Sequence, residues 1–197
     1  MTPPDLDQAV ALLEFGSIAA GIEAGDAMIK RAPLDVIRAG TIHPGKYVVL
    51  VGGQVADVEE ALDAARRLVG AHFVDEMFLP DPHPDLVSAL KGARLPGAGE
   101  ALGVIETSSI AAVIRSADVG LKGARVVIRE IFLGDDLGGK GYLLFSGPLV
   151  EVEAAVELAT ERAASELVAA RVIAQLHTEM DDNLVGDGRF TSRLRGT

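Results

Sequence analysis

Two short loops carry the side chains of this sequence that are best suited to chemistry. The first loop is Thr41-Ile42-His43-Pro44-Gly45, and the second loop is Gly134-Asp135-Asp136-Leu137-Gly138-Gly139. An imidazole can bind a metal ion or change its charge near pH 6.5, and adjacent carboxylates favour cations or neutral polar solutes over anions. Because nothing in the sequence supplies the partners that orient a metal-bound imidazole, we predict no cofactor and no metal, with His43 as the one candidate ligand.

The sequence contains no pattern that is typical of a catalytic site. It has no cysteine, which excludes a thiol nucleophile, a disulfide framework and a thiolate metal site. Ser17 and Ser109 stand directly before apolar helical patterns and are typical of helix N-caps rather than of nucleophiles. The four histidines fall at dissimilar positions. The sequence therefore predicts a protein that is not an enzyme.

Composition excludes two classes of partner. A net charge of −11 disfavours sequence-independent binding to nucleic acid or to anionic lipid. No apolar run approaches the roughly 18 residues that span a bilayer, and the N-terminus lacks the pattern of a signal peptide. We predict a protein of the cytoplasm with neither nucleic acid nor membrane as a partner.

The chain repeats itself. Residues 17–22 recur as residues 109–114, and eight of the 16 positions from 17 to 32 are identical at an offset of 92. From Lys46, which matches Lys140, the offset is 94, so the second copy has two extra residues in the second loop. The sequence predicts a first domain at 8–92, a linker at 93–99, a second domain at 100–185 and a flexible tail at 186–197.

Each copy reads as a mixed α and β unit. The hydrophobic patterns predict a strand, a helix, a β-hairpin, a second helix, a fourth strand and a short terminal helix. The predicted strands are 10–15, 34–42, 46–51 and 71–79 in the first copy, and 101–107, 126–133, 140–145 and 167–176 in the second. The order β-α-β-β-α-β is the ferredoxin-like arrangement, with helices on one face of an antiparallel sheet. The predicted fold is α/β (α+β), with two tandem ferredoxin-like domains, and it decides no function by itself.

Three segments of this duplicated sequence resemble the bacterial microcompartment shell domain. They are Ala101-Leu102-Gly103-Val104-Ile105-Glu106-Thr107, Gly25-Asp26-Ala27-Met28-Ile29-Lys30 and Pro82-His83-Pro84. The resemblance covers about residues 10–91 and 100–184 in the unpermuted order. Two copies in one chain resemble the tandem, trimer-forming branch of the family. Within that branch the chain is similar to the propanediol-utilisation-like proteins, whose first loop holds an iron–sulfur cluster through a cysteine where this chain has His43.

The resemblance implies a fold, an assembly and a role. Three chains would close into a flat pseudohexameric homotrimer whose hairpin loops surround a central pore for small metabolites. The pore would be lined by the two loops named above, and a cluster is excluded because the chain has no cysteine. The protein would then be a structural tile of a bacterial microcompartment shell.

The resemblance also places three residues at the lateral edges of such a tile. Lys30 and Lys122 end equivalent helices, and His83 lies in the segment that closes the first copy. Other shell proteins would be partners through these edges, and enclosed enzymes could contact the tail.

Three alternatives remain open from the residues alone. The chain could be a duplicated ferredoxin-like protein that binds a small ligand or has a regulatory role. It could be an enzyme with a site at a trimer interface, although no acid–base pair supports this. It could also be a shell tile that binds a metal at the pore through His43.

Overall fold

The computed structural model describes residues 6, 8–68, 70–93 and 99–184 of the 197-residue chain. The predicted tail at 186–197 and most of the predicted linker at 93–99 lie outside these residues. Their proposed boundaries therefore stay predictions.

Both copies contain the same succession of elements. The first copy consists of β1 (Ala9–Phe15), α1 (Ile18–Arg31), β2 (Val36–Ile42), β3 (Lys46–Gly53), α2 (Val55–Arg66), β4 (Phe73–Leu79) and α3 (Pro84–Leu90). The second consists of β5 (Ala101–Thr107), α4 (Ile110–Gly123), β6 (Val127–Leu133), β7 (Gly141–Gly147), α5 (Leu149–Ala163), β8 (Leu167–Ile173) and α6 (Thr178–Leu184). Ser17 and Ser109 accept hydrogen bonds from the backbone N–H groups of Ala20 and Ala112, so both serines are the predicted N-caps.

Each copy forms a four-stranded antiparallel sheet with equivalent strand orders, β2-β3-β1-β4 and β6-β7-β5-β8. This topology confirms the predicted ferredoxin-like arrangement. In the first copy the odd-numbered residues of β1 face α1 and α2, and they form a core with Ala24, Met28 and Leu62. All seven residues of β1 are buried because it is a central strand with both faces covered.

The hairpin loops differ as the shift in offset predicts. Thr41 pairs with Tyr47 in the first copy and Leu133 pairs with Gly141 in the second, so the second loop is longer by two residues. Strand β6 has a register shift between Ile128 and Glu130 that the hydrophobic pattern did not predict. The bulge adds one residue to β6, but the connection from α4 to β6 is one residue shorter than that from α1 to β2. Because the two changes cancel, the offset between the copies does not reveal the bulge.

A second hydrophobic core joins the two copies. It combines the even-numbered face of β1, including Val10 and Leu12, with α3 and with most of the apolar residues of α4. Helix α4 packs against β4 and β1 of the first copy as well as against its own sheet. We call this contact of α4 with β1, β4 and the segment directly after β4 the inner interface.

Candidate pore loops and interdomain interface

The two loops predicted to carry the chemistry lie side by side. The ammonium group of Lys46, at the end of the first loop, donates to the carbonyl oxygen of Gly139 in the second at 3.2 Å. At the other end of the second loop, a Cβ built on Gly134 would lie 3.0 Å from Cδ1 of Ile42. The fold therefore brings together two segments that are about 90 residues apart in the sequence.

The loop side chains divide into a solvent-exposed set and a buried set. Thr41, His43, Pro44, Gly45, Asp135, Asp136, Leu137 and Gly138 are exposed, whereas Ile42, Gly134 and Gly139 are buried. Ile42 packs between the two copies, so its side chain does not face solvent. Asp136 has a φ of 63°, and Gly134 and Gly138 also have positive φ, so backbone conformation explains the glycine content of this loop.

The carboxylate of Glu14 is buried in the inner interface at the N-terminal end of α4. One oxygen accepts a hydrogen bond from the backbone N–H of Ala111 at 2.7 Å, in the first turn of α4. The other oxygen lies 3.2 Å from Nζ of Lys46, which also donates to the carbonyl oxygen of Ser108. The Glu14 side chain is fully buried, and burial raises the pKa of this carboxyl above 4.5, although the Ala111 N–H and Lys46 oppose the shift.

Stability should depend on pH through Glu14. Folding raises the pKa of Glu14 above 4.5, so the folded state favours the protonated carboxyl group. The stabilisation from this preference is complete below pH 4.5 and is lost as pH rises through the pKa of Glu14 in the folded protein. We expect the free energy of unfolding of the native protein, minus that of Glu14→Gln, to fall as pH increases from 4.5. Urea denaturation of both proteins between about pH 4 and 8 measures this difference. A difference that stays constant with pH would contradict the assigned direction of the shift.

A second ion pair crosses the inner interface near the middle of α4. The guanidinium group of Arg115 donates to both carboxylate oxygens of Asp75, at 2.9 and 3.1 Å, and to the carbonyl oxygen of Glu76. The hydroxyl group of Ser109 donates to Asp75 at 2.5 Å. Bidentate pairing of this kind fixes orientation as well as contributing energy.

The residues predicted for the tile edges have different surroundings. Nζ of Lys122 lies 2.7 Å from Asp118 and donates to the carbonyl oxygen of Asp81 in the first copy, so Lys122 takes part in the inner interface. Among the described residues Lys30 makes only the equivalent contact with Asp26, at 2.6 Å, and both side chains are exposed. In this chain Lys30 is therefore the freer of the two lysines.

His83 and His177 have the same local role. Nδ1 of His83 accepts a hydrogen bond from the backbone N–H of Asp85, and Nδ1 of His177 accepts one from Glu179. Each histidine therefore caps a short terminal helix, so these two positions are equivalent although only His83 is flanked by prolines. This corrects the expectation that all four histidines fall at dissimilar positions. The backbone N–H of His83 also donates to Asp118 across the inner interface.

Helix α1 exposes the apolar face that α4 buries. Ile18, Ile22 and Ile29 are 44, 54 and 54 % exposed, whereas the equivalent Ile110, Ile114 and Leu121 are 2, 0 and 6 % exposed. The second copy likewise has an open groove on the sheet face that α4 covers in the first. Among its lining residues are Leu102, Val104, Tyr142, Leu144 and Ile173.

The two copies of the domain thus differ in one respect: the same apolar helix face is buried in one copy and exposed in the other. The family model described as "BMC domain" matches residues 9–82 and again residues 101–176. The chain belongs to the BMC domain family. This finding confirms the resemblance and the duplication. Separately, the helices of the described residues include none with the length and apolar character of a membrane span.

Relatives of this BMC protein are named as proteins of bacterial microcompartments or carboxysomes. The bacterial microcompartment shell protein PduT of Citrobacter freundii is 36% identical over 89% of this chain and 96% of its own. The carboxysome assembly protein CcmO of a Synechocystis strain is 25% identical over 90% of this chain and 65% of its own. A crystal structure of a microcompartment protein from Desulfitobacterium hafniense superposes with a TM-score of 0.76, at 36% identity over 89% of this chain and 98% of that one. The predicted role as a structural shell protein is therefore confirmed.

The residues of this BMC protein do not fit the iron–sulfur cluster of the branch that it resembles. Such clusters are held by cysteine thiolates, and the chain has no cysteine. Among the described residues no three His, Asp or Glu side chains are grouped as metal ligands. Within the described part of a single chain, His43 therefore has no partners with which to hold a metal.

Three residues that connect the two copies were not predicted from the sequence: Glu14, Asp75 and Arg115. A usable signal existed for Glu14, because it interrupts an apolar strand and recurs as Glu106, while its partner Lys46 recurs as Lys140. The second pair makes the corresponding contact, with Nζ of Lys140 at 2.6 Å from Glu106. No such signal existed for Asp75 and Arg115, because neither recurs in the other copy.

Proposed function

We propose that three copies of this chain close into a ring of six domains, which is a shell tile with a pore at its centre. The main support for this proposal is the apolar face of α1, which is exposed although the equivalent face of α4 is buried. In the ring, α1 of one chain would pack against β5 and β8 of the next chain, as α4 packs against β1 and β4 within a chain. We call this contact the outer interface.

The groove on the second copy supports the proposed contact. It is lined by Leu102, Val104 and Leu144, which correspond in strand register to Val10, Leu12 and Leu50 at the inner interface. Ile110 and Ile114 lie over that equivalent surface in the first copy. Ile18 and Ile22 of a second chain are therefore apolar side chains of the right type and spacing to fill the groove. Full burial of one isoleucine side chain contributes about 2 kcal/mol.

A heterologous contact of this kind generates a closed ring when its rotation closes. If each outer interface repeats the rotation between the two domains of one chain, six domains from three chains would close the ring. The loops at 41–46 and 134–140 are adjacent within a chain, so three pairs of loops would surround the axis. Carboxylates of Asp135 and Asp136 from three chains would then give the pore mouth a negative potential that favours cations and neutral solutes over anions.

The proposed role is passive passage of small metabolites, without catalysis. Cargo enzymes and other shell proteins are the proposed partners inside and beside the tile. The lateral contacts with other shell proteins involve the surface around Lys30. The pore proposal includes His43 as an exposed lining residue without a bound metal.

Mass measurement and electron microscopy of the purified full chain test this proposal. We expect a particle of three chains, about 60 kDa from the 20.5 kDa chain, which in projection is hexagonal with a central opening and associates into sheets. A monomer or dimer at micromolar concentration would overturn the ring. Trimers that bind a small ligand between domains and never associate laterally would favour the ligand-binding alternative.

The edge role of Lys30 is tested by Lys30→Asp. Because Lys30 is exposed and pairs with Asp26 on its own helix, we expect the variant to keep the stability and mass of the trimer but to lose sheets, at least tenfold by turbidity or microscopy. Arg31→Asp is the matched control, since it changes the charge equally one residue away and, within the described part of the chain, loses an exposed contact with Glu60. Sheets that form equally in both variants would show that Lys30 is not at the edge.

A further inference from the structure

The strand registers identify which residues of the two copies occupy equivalent interface positions. Glu14 pairs with Asp75 in the first sheet and Glu106 pairs with Ala169 in the second, so Asp75 corresponds to Ala169. The helix caps Ser17 and Ser109 align α1 with α4. This alignment places Glu23 of α1 at the position of Arg115 in α4.

Charge at these positions differs between the two interfaces. At the inner interface Arg115 and Asp75 form a bidentate pair, with side chains only 10 and 15% exposed. At the outer interface Glu23 would approach Ala169, a position with neither a carboxylate nor a cation. Glu23 is exposed in the single chain, so it enters this contact from solvent.

We propose that Glu23 and Ala169 form a recognition code at the outer interface, which accepts α1 of a second copy of this chain and rejects a domain with a cation at the position of Arg115. This proposal rests on the ring described under the proposed function. The outer interface is where this selection takes place, because α4 of the same chain already covers β1 and β4 of the first domain. A foreign helix with a cation at the position of Arg115 would bury that cation beside Ala169 without a carboxylate, which is costly.

The code also defines which other shell domains can enter the ring. A domain with a cation at the position of Arg115 would meet no carboxylate on β8, because both Ala169 and its neighbour Ala170 are alanines. A domain with a neutral or acidic residue there would be accepted. The outer interface would thus select its partner through the cost of burying an unpaired cation, which a wrong partner incurs and a second copy of this chain does not.

A double-mutant cycle on the full chain tests the code. Glu23→Arg alone and Ala169→Asp alone are each expected to raise the concentration at which half of the trimers dissociate by at least tenfold. The double variant should return to within about threefold of the native value, because the introduced guanidinium and carboxylate groups would recreate the pair of the inner interface. Dissociation is measured by sedimentation or by mass photometry over a dilution series, and Glu23→Gln should remain close to the native protein.

The outcomes separate this code from the ring itself. If the native chain is not a trimer, the ring fails before any variant is made. If the native chain is a trimer but the effects of the two substitutions simply add, positions 23 and 169 do not face each other and the code is wrong. Thermal unfolding of each monomer checks the fold, and Ala169→Glu provides a second carboxylate if Ala169→Asp does not fold.

Discussion

Replacing Ile22 with aspartate is expected to convert the trimer into single chains. Ile22 is 54% exposed in one chain, but its equivalent Ile114 is fully buried at the inner interface. The variant would lose the apolar burial and would place a carboxylate in an apolar groove, at a cost of about 3 kcal/mol or more at each of three contacts. This corresponds to more than a hundredfold weaker association at each contact, which sedimentation or mass photometry measures directly.

Val150→Asp is the matched control for this experiment. Val150 is 74% exposed on α5, so the substitution also introduces an acidic residue in place of an exposed β-branched residue. It lies outside both the α1 face and the groove of the second copy, and we expect a trimer of normal stability. Equal dissociation of both variants would mean that added negative charge, rather than the α1 face, disrupts the assembly. Intact trimers of Ile22→Asp would remove α1 from the outer interface.

The largest expected loss of chain stability follows from Glu14→Ala. The substitution leaves the backbone N–H of Ala111 without its buried acceptor and Lys46 without its carboxylate. It also removes a negative charge from the N-terminal turn of α4, where the helix dipole favours one. We expect the free energy of unfolding to fall by about 3 kcal/mol, as measured by urea denaturation with a two-state fit.

An exposed ion pair provides the comparison for Glu14→Ala. Glu60 lies 3.4 Å from Arg31, and both side chains are more than half exposed. Glu60→Ala should therefore change the unfolding free energy by less than about 1 kcal/mol. If Glu14→Ala costs no more than this control, the buried carboxylate does not stabilise the inner interface. Because Glu14→Gln keeps an acceptor for Ala111, its loss at neutral pH should be smaller than that of Glu14→Ala.

The amino-acid sequence by itself determined the duplication, the element order and the location of the loops. These features depend on local patterns: apolar periodicity, serine caps, and the change of offset from 92 to 94 that reveals the longer second loop. The strand at 101–107 matches β5 residue for residue. Composition alone also excluded the iron–sulfur cluster, because such clusters are held by cysteine and the chain contains none.

Only the tertiary structure decided which copy of each repeated residue is buried. Ile18 and Ile110 have nearly the same sequence surroundings, yet one is exposed and the other lies against the preceding domain. Lys30 and Lys122 are both exposed, but the tertiary structure decides that Lys122 donates to a carbonyl oxygen of the other domain. Local sequence cannot distinguish them, because burial depends on what another part of the chain, or another chain, places against the surface.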